Sequence, residues 1–442
     1  MKTASILALT AAITGFLFGL APQPPVQAIA LEGKLNYPFI AEKGGTAYLQ
    51  LTVTTANVGV QSKRKPMNLS IVLDRSGSMG DERKMDYAKK AFASLIDQLK
   101  PNDVLSVVIY DDVIDVLRRA KRVGSNKFEI KRLIDEVYPR GSTNLGGGLL
   151  EGLRQAEKNA GRRYVNRVVL LSDGLANVGM TSPEELNRVA KDYRRQSISI
   201  TTMGVGLDYN ENLMMGLAES GGGNYYFIER PNNLASIVRK EFDMISSVLA
   251  QNAYIHIKLG KGVLVNDIVG CEYRNESGSY IVPVGDLYAN GRREFTVELT
   301  IPRGTGSLEV ARGELKYDAA GISKEYPTFA TNVKYTRDYV EVEKHRNIEV
   351  QAKADVAVST RKVEQAMKAM DEGDMKAAEM HLNEANDMIQ ASPAASAAGA
   401  SGEAVREQIG RVQSYQKEAK KGDARKAKKS IQYDNYKTQK NK

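Results

Sequence analysis

The chain of 442 residues is too long for a single hydrophobic core, so two or three domains are expected. Its formal net charge is +9, but the basic excess collects after Arg411. A basic run of this kind usually forms a solvated tail, so the charge does not predict nucleic-acid binding. The sole cysteine, Cys271, excludes a disulfide within the chain.

Residues 1–30 have the pattern of an export signal. Lys2 is followed by an apolar segment over 6–20, and residues 28–30 give a small-x-small cleavage pattern. An uncleaved membrane anchor is the alternative, and no other segment approaches the ~20 apolar residues of a membrane span. We therefore expect an exported protein, periplasmic or secreted, without a transmembrane segment once the signal is removed.

Residues 67–249 alternate between buried-strand and amphipathic-helix patterns. This alternation is typical of a doubly wound, mostly parallel α/β sheet. The stretch 113–117 follows Asp111 and Asp112 and predicts a hairpin with an antiparallel edge strand. The two aspartates are explained equally well as turn residues or as groups behind a binding site.

Apolar and polar residues alternate on both sides of that region, over 35–62 and 251–340, as half-buried antiparallel strands require. Phe295 and Val297 belong to the clearest of these strands. A lone hairpin over 35–62 would be marginally stable. We therefore expect both parts to form one β-sandwich domain, into which the α/β domain is inserted.

Helical patterns begin at Glu343. Residues 343–390 predict a helical hairpin whose spacing resembles a tetratricopeptide pair, although one pair is too short for an array. Residues 391–402 are rich in small residues and predict a linker. Residues 403–442 predict a helix followed by a disordered basic tail, which could contact an anionic envelope surface weakly through charge.

A candidate binding site follows the buried strand that contains Ile71, Val72 and Leu73. This strand leads directly into Asp74, and two hydroxyls follow at a spacing of two. Open α/β sheets place their ligands at this end of a strand. Hard oxygen donors suit Mg²⁺, Mn²⁺ or Ca²⁺ rather than a soft metal. A serine-rich helix N-cap would explain the stretch equally well on its own. The side chains concerned are Asp74, Ser76 and Ser78.

Two later stretches favour the metal site. Thr143 lies in a glycine-rich loop over 141–148, and Asp173 follows a second buried strand. In this order the residues resemble the von Willebrand factor type A family and its metal-ion-dependent adhesion site. In that family the serines and the threonine reach the metal, and the aspartates often act through water. The resemblance assigns these roles to Asp74, Ser76, Ser78, Thr143 and Asp173. The domain order over 35–340 resembles secreted bacterial proteins of the calcium-activated-chloride-channel-like type.

These implied roles predict divalent-cation-dependent protein recognition. An ion held mainly by neutral hydroxyls keeps enough charge to attract a Glu or Asp side chain of a partner protein. Mg²⁺ fits a rigid six-coordinate shell best, while Mn²⁺ and Ca²⁺ remain open. The alternative is a structural scaffold of a cell-envelope assembly, in which the metal only stiffens the loops.

Enzymatic functions meet specific obstacles in this sequence. Ser76 stands where a phosphatase of the aspartyl-phosphate kind has a second acid. The nucleophile elbow, the zinc-binding HExxH motif and the phosphate-binding loop are absent. We therefore expect a protein that is not an enzyme, with metal-assisted hydrolysis at Asp74 as a third hypothesis.

Overall fold

The structure is a computed structural model. It describes residues 28–56, 64–319, 326–419 and 424–440. Most of the predicted export signal lies outside these residues. Its boundary at residue 30 overlaps the first strand, β1 (Ile29–Leu35), by two residues. Ile29 is buried and pairs with Thr55, so a signal ending at residue 28 would leave β1 complete.

Two further strands, β2 (Phe39–Ala41) and β3 (Gly45–Thr55), precede the central α/β sheet. The central sheet has six strands in the order β6-β5-β4-β7-β8-β9. These are β4 (Met67–Asp74), β5 (Val104–Tyr110), β6 (Ile114–Arg122), β7 (Val165–Ser172), β8 (Ile198–Val205) and β9 (Gly222–Ile228). The helices between and after them are α1 (Lys84–Gln98), α2 (Lys127–Asp135), α3 (Leu145–Glu157), α4 (Pro183–Arg195), α5 (Glu211–Ser220) and α6 (Leu234–Ser246).

Helices cover both faces of this sheet because successive residues of β4 point to opposite sides. Ile71 packs into one core with Phe92 of α1, and helices α2 and α6 complete that side. Val72 packs into the other core with Leu149 of α3, and helices α4 and α5 complete it. Strand β6 pairs antiparallel with β5 at one edge, while the other strand pairs are parallel. The predicted fold class is confirmed.

Two antiparallel-rich sheets form a β-sandwich from both ends of the central region. Besides β1, β2 and β3, their strands are β10 (Val248–Leu259), β11 (Leu264–Val269), β12 (Arg274–Glu276), β13 (Ser279–Tyr288), β14 (Arg292–Ile301), β15 (Ser307–Ala319) and β16 (Thr328–Thr336). One sheet has the order β1-β3-β14-β11 and the other β12-β13-β10-β15-β16-β2. The last strand, β16, ends at Thr336, four residues before the predicted boundary at 340. The chain then turns into a short helix, α7 (Tyr339–Lys344).

Helices α8 (Ile348–Asp371), α9 (Met375–Gln390) and α10 (Ala400–Ala419) follow. Residues 391–399 of the predicted linker 391–402 form a packed turn, because Ala394 is fully buried in one apolar cluster with Ile389, and residues 400–402 already belong to α10. Within the described parts of the chain, no helix is both long enough and apolar enough to cross a membrane.

The prediction of a disordered basic tail is wrong over the last helix, α11 (Ala424–Lys440). Ile431 packs among the C-terminal helices, and Tyr436 enters a core of the central sheet. The hydroxyl of Tyr436 accepts a hydrogen bond of 3.0 Å from the backbone N–H of Tyr225. Because Tyr225 lies in the edge strand β9, the helix covers an edge that would otherwise be open.

Candidate metal centre

The predicted aspartates lie side by side at one edge of the central sheet. Asp74 is the last residue of β4, and Asp173 directly follows β7. These two strands are neighbours, but the helices that follow them, α1 and α4, pack on opposite faces. The winding of the sheet therefore reverses between them, and open α/β sheets bind ligands at such a point.

Hydrogen bonds fix both carboxylate oxygens of Asp74, which is fully buried. Its Oδ1 accepts from the backbone N–H of Ser76 at 2.8 Å. Its Oδ2 accepts from Ser172 Oγ at 2.6 Å and from the Tyr110 hydroxyl at 3.3 Å. Asp74 is thus held in one orientation at the end of its strand.

Burial is the main cause that raises the pKa of Asp74 to about 6. The hydrogen bonds from Ser172 and Ser76 oppose this shift, while the nearby charge of Asp173 adds to it. An ionised carboxylate in such surroundings gains free energy from any cation that approaches it.

Ser76 and Ser78 form a short chain of hydroxyls that leads from Asp74 to Asp173. Their Oγ atoms are 3.3 Å apart, and Ser78 Oγ donates to Asp173 Oδ1 at 2.8 Å. Ser76 precedes a 3-10 helix over Gly77–Arg83, whose first N–H donates to the carbonyl of Gly141 at 3.1 Å. This contact ties the serine turn to the loop that carries Thr143.

Thr143 reaches the same place from the loop before α3. Its backbone N–H donates to Asn177 Oδ1 at 2.9 Å, and its carbonyl accepts from the Asn177 N–H at 3.1 Å. The hydroxyls of Thr143 and Ser78 both lie next to Gly174. A Cβ built on this glycine would be 3.2 Å from Thr143 Oγ1 and 3.7 Å from Ser78 Oγ. The structure therefore brings together all five residues predicted from the sequence.

Lys84, the first residue of α1, also lies at this edge and was not predicted from the sequence. Its Nζ lies 2.8 Å from Asp173 Oδ2, and the side chain is buried. The sequence offered one signal, because a lysine in the first turn of a helix opposes the helix dipole and needs a compensating partner.

Arg75 fixes the surrounding loops rather than reaching the centre. Its guanidinium pairs with Asp111 at 2.9 Å and with Asp115 at 2.6 Å, and Arg140 pairs with Asp111 at 2.8 Å. Burial acts to raise the pKa of Asp111, but hydrogen bonds from the Val113 N–H and both arginines outweigh it and lower that pKa. Asp111 is therefore both a turn residue and a support for the site.

The oxygen donors at this edge suit a hard divalent cation. Across the described residues, no group of three or more His, Cys, Asp or Glu side chains is placed to hold a metal. An ion here would therefore need hydroxyl oxygens beside the carboxylates, and Ser76, Ser78 and Thr143 provide them. Such a set of oxygens fits Mg²⁺, Mn²⁺ or Ca²⁺.

Comparison with known proteins identifies the type of domain that carries this site. Residues 68–240 match the sequence profile of the von Willebrand factor type A domain. An uncharacterized protein of Synechocystis, sll0103, is 28% identical over 62% of this chain and 67% of its own length. An uncharacterized Escherichia coli protein, YfbK, is 28% identical over 55% of this chain, which spans 44% of that relative. The inter-alpha-trypsin inhibitor heavy chain H3 of Rattus norvegicus is 24% identical over 55% of this chain and 28% of its length.

Two solved structures share the fold over nearly the whole chain. A von Willebrand factor type A protein from Catenulispora acidiphila has a TM-score of 0.72 at 17% identity and covers 96% of this chain and 99% of its own. The ArnB paralog VWA2 from Sulfolobus acidocaldarius has a TM-score of 0.59 at 17% identity, with 94% and 99% covered. At these identities the likeness extends to the fold alone.

Proposed function

Because residues 68–240 form a von Willebrand factor type A domain, we propose that they bind a divalent cation and use it to capture an acidic side chain of a partner protein. One observation carries the proposal: hydroxyls and buried carboxylates from three separate stretches meet at one sheet edge. The proposed metal site consists of Asp74, Ser76, Ser78, Thr143 and Asp173.

The chemistry follows from the charges of these groups. When bound, the cation supplies an electrophilic centre. The hydroxyls of Ser76, Ser78 and Thr143 are neutral donors, so they leave most of the charge of an ion uncancelled. Attraction between that charge and a carboxylate strengthens as water leaves the contact. Mg²⁺ is the preferred ion because a small, rigid set of oxygens suits its octahedral shell, with Mn²⁺ and Ca²⁺ as the alternatives.

The named relatives support a role in protein–protein interaction. The inter-alpha-trypsin inhibitor heavy chain H3 of rat matches 55% of this chain, although the chain spans only 28% of that protein. We carry over no partner from them. The partner proposed here is defined by chemistry alone, as a protein that presents Asp or Glu to the metal.

We also propose that the protein is exported to the periplasm or secreted, among bacterial proteins of the calcium-activated-chloride-channel-like type. The apolar segment over 6–20 supports export, and the inserted position of the α/β domain supports the type. Because Ile29 begins β1, we expect removal of the signal after Ala28. N-terminal sequencing of the mature protein tests this, and a chain that still begins with Met1 would contradict export by cleavage.

A rigid scaffold is the second candidate function. The fully buried pair of Arg167 and Asp286 favours it, because such a pair fastens the central sheet to the sandwich. Metal-assisted hydrolysis is a weaker third candidate. The histidines of the chain lie away from the proposed site, on β10, after α7 and on α9. We therefore propose a binding protein rather than an enzyme.

The experiment is capture of partners from a cell-envelope extract in Mg²⁺, with and without EDTA. Ser76→Ala should abolish metal-dependent capture and keep the fold, which circular dichroism can check. Ser94→Ala is the matched control, because Ser94 is exposed on α1 and lies outside the site. Capture that survives EDTA would favour the scaffold. Turnover of a phosphoester that depends on Asp74 would favour the enzyme.

A further inference from the structure

The ammonium group of Lys84 occupies a buried position beside the proposed metal site. It lies 2.8 Å from Asp173 Oδ2 and 3.5 Å from the carbonyl oxygen of Ser78. The end of β8 closes over it, since a Cβ built on Gly206 would lie 3.6 Å from Lys84 Nζ. Only 5% of Lys84 is exposed.

Two physical effects oppose a lysine at this position. Burial removes the hydration of the ammonium group, and the positive end of the α1 dipole repels it. The side chain of the neighbouring Arg83 keeps its hydration, because it is 69% exposed and pairs with Asp86 at the surface. Attraction to Asp173 must therefore stabilise the ammonium group of Lys84.

We propose that Lys84 is a tethered cation that restrains metal loading and sets the charge of the loaded site. This inference rests on the proposed function. Without metal, the carboxylates of Asp74 and Asp173 and the ammonium of Lys84 leave one net negative charge. A divalent cation turns this into one net positive charge, which the carboxylate of a partner then cancels.

Lys84→Gln should change the affinity for the metal and the affinity of the loaded site for a carboxylate in opposite directions. Because the ammonium repels an incoming cation, its removal should tighten Mn²⁺ binding about tenfold or more at pH 8 and low salt. Because the loaded site then becomes neutral, an added carboxylate should bind it more weakly than it binds the wild type. A merely structural lysine would weaken both interactions or change neither.

Isothermal titration of EDTA-stripped protein with Mn²⁺ measures the first effect. Acetate competing for water on bound Mn²⁺, followed through water-proton relaxation, measures the second. Lys90→Gln is the matched control, because Lys90 is an exposed lysine on the same helix. Lys84→Arg keeps the charge and should bind Mn²⁺ as the wild type does.

Tighter Mn²⁺ binding with weaker acetate binding in Lys84→Gln alone supports the inference. Equal or weaker Mn²⁺ binding overturns it while leaving the proposed function standing. If neither the wild type nor Lys84→Gln binds Mn²⁺, the proposed function and this inference both fail. If stripped Lys84→Gln is unfolded, the same two titrations are made on Lys84→Met, which removes the charge and keeps the apolar stem of the side chain. The outcomes stated for Lys84→Gln then apply to Lys84→Met.

Discussion

The guanidinium of Arg167 lies 2.8 Å from the carboxylate of Asp286, across the boundary between the central sheet and the β-sandwich. Both side chains are buried, and Glu241 lies 4.0 Å from the same guanidinium. Burial acts to lower the pKa of Arg167, but the charges of neighbouring groups, Asp286 and Glu241 among them, outweigh it and raise that pKa. The pair joins β7 to β13 and fixes the base of the sheet that carries the proposed metal site.

Asp286→Asn should therefore lower the free energy of unfolding by about 3–5 kcal/mol, because it leaves the Arg167 charge buried without its closest partner. Denaturant titration measures this change. Glu309→Gln is the control, since Glu309 pairs with Arg312 at the surface and its loss should cost about 1 kcal/mol or less. Similar losses in both variants would contradict the role of the buried pair.

Asp74→Asn should stabilise the metal-free protein at pH 8. The folded protein holds a proton on Asp74 up to a pKa of about 6, whereas the unfolded chain releases it near the ordinary value of 3.8. The contribution of Asp74 to stability therefore falls as pH rises through this interval, and the loss persists above it. The variant should gain about 3 kcal/mol at pH 8.

Denaturant titrations from pH 4 to pH 8 test this dependence. The difference between Asp74→Asn and the wild type should grow between pH 4 and pH 6 and then level off. If the difference in unfolding free energy is independent of pH, or if the variant is less stable than the wild type at pH 8, burial does not disfavour the ionised form of Asp74.

Gly174→Ala should weaken Mg²⁺ binding more than it weakens the fold. The added methyl group would meet Thr143 Oγ1 at 3.2 Å, so the hydroxyls around the site must shift by a few tenths of an ångström. Isothermal titration measures the affinity. Gly161→Ala is the control, because a Cβ there meets nothing within 4 Å. Unchanged affinity in Gly174→Ala would argue against Thr143 as a ligand.

Tyr436→Phe should loosen the edge strand β9. The variant leaves the buried N–H of Tyr225 without its acceptor, which should cost about 1–3 kcal/mol. Hydrogen exchange at β9 and thermal unfolding report the change. Tyr433→Phe, on the same helix, is the control, because it keeps the ring that packs against Tyr225 and removes a hydroxyl that makes no hydrogen bond to β9 within the described part of the chain. Equal protection of β9 in both variants would mean that α11 does not cover it.

The aspartates and hydroxyls of the proposed site can be picked out from the sequence because their signals are local. Asp74 and Asp173 each follow a buried apolar run, and the carboxyl ends of parallel strands share one edge. The spacing of Ser76 and Ser78 brings both hydroxyls to one turn. These features need no knowledge of distant contacts.

Other features depend on partners far apart in the chain. Arg167 is a single charge within an apolar strand, and its partner Asp286 is 119 residues away. The helix α11 reads as a basic tail because its lysines outweigh the apolar positions Ile431 and Tyr436. Those positions are buried only against surfaces that other elements provide. Lys84 was missed for the same reason.

Crystals of the protein soaked in Mn²⁺, with data recorded at a wavelength where manganese scatters anomalously, test the central claim most directly. We predict one strong anomalous peak within coordination distance of the hydroxyls of Ser76, Ser78 and Thr143, and its loss in Ser76→Ala. A peak elsewhere, or no peak at this edge at saturating Mn²⁺, would contradict metal-dependent recognition by this domain.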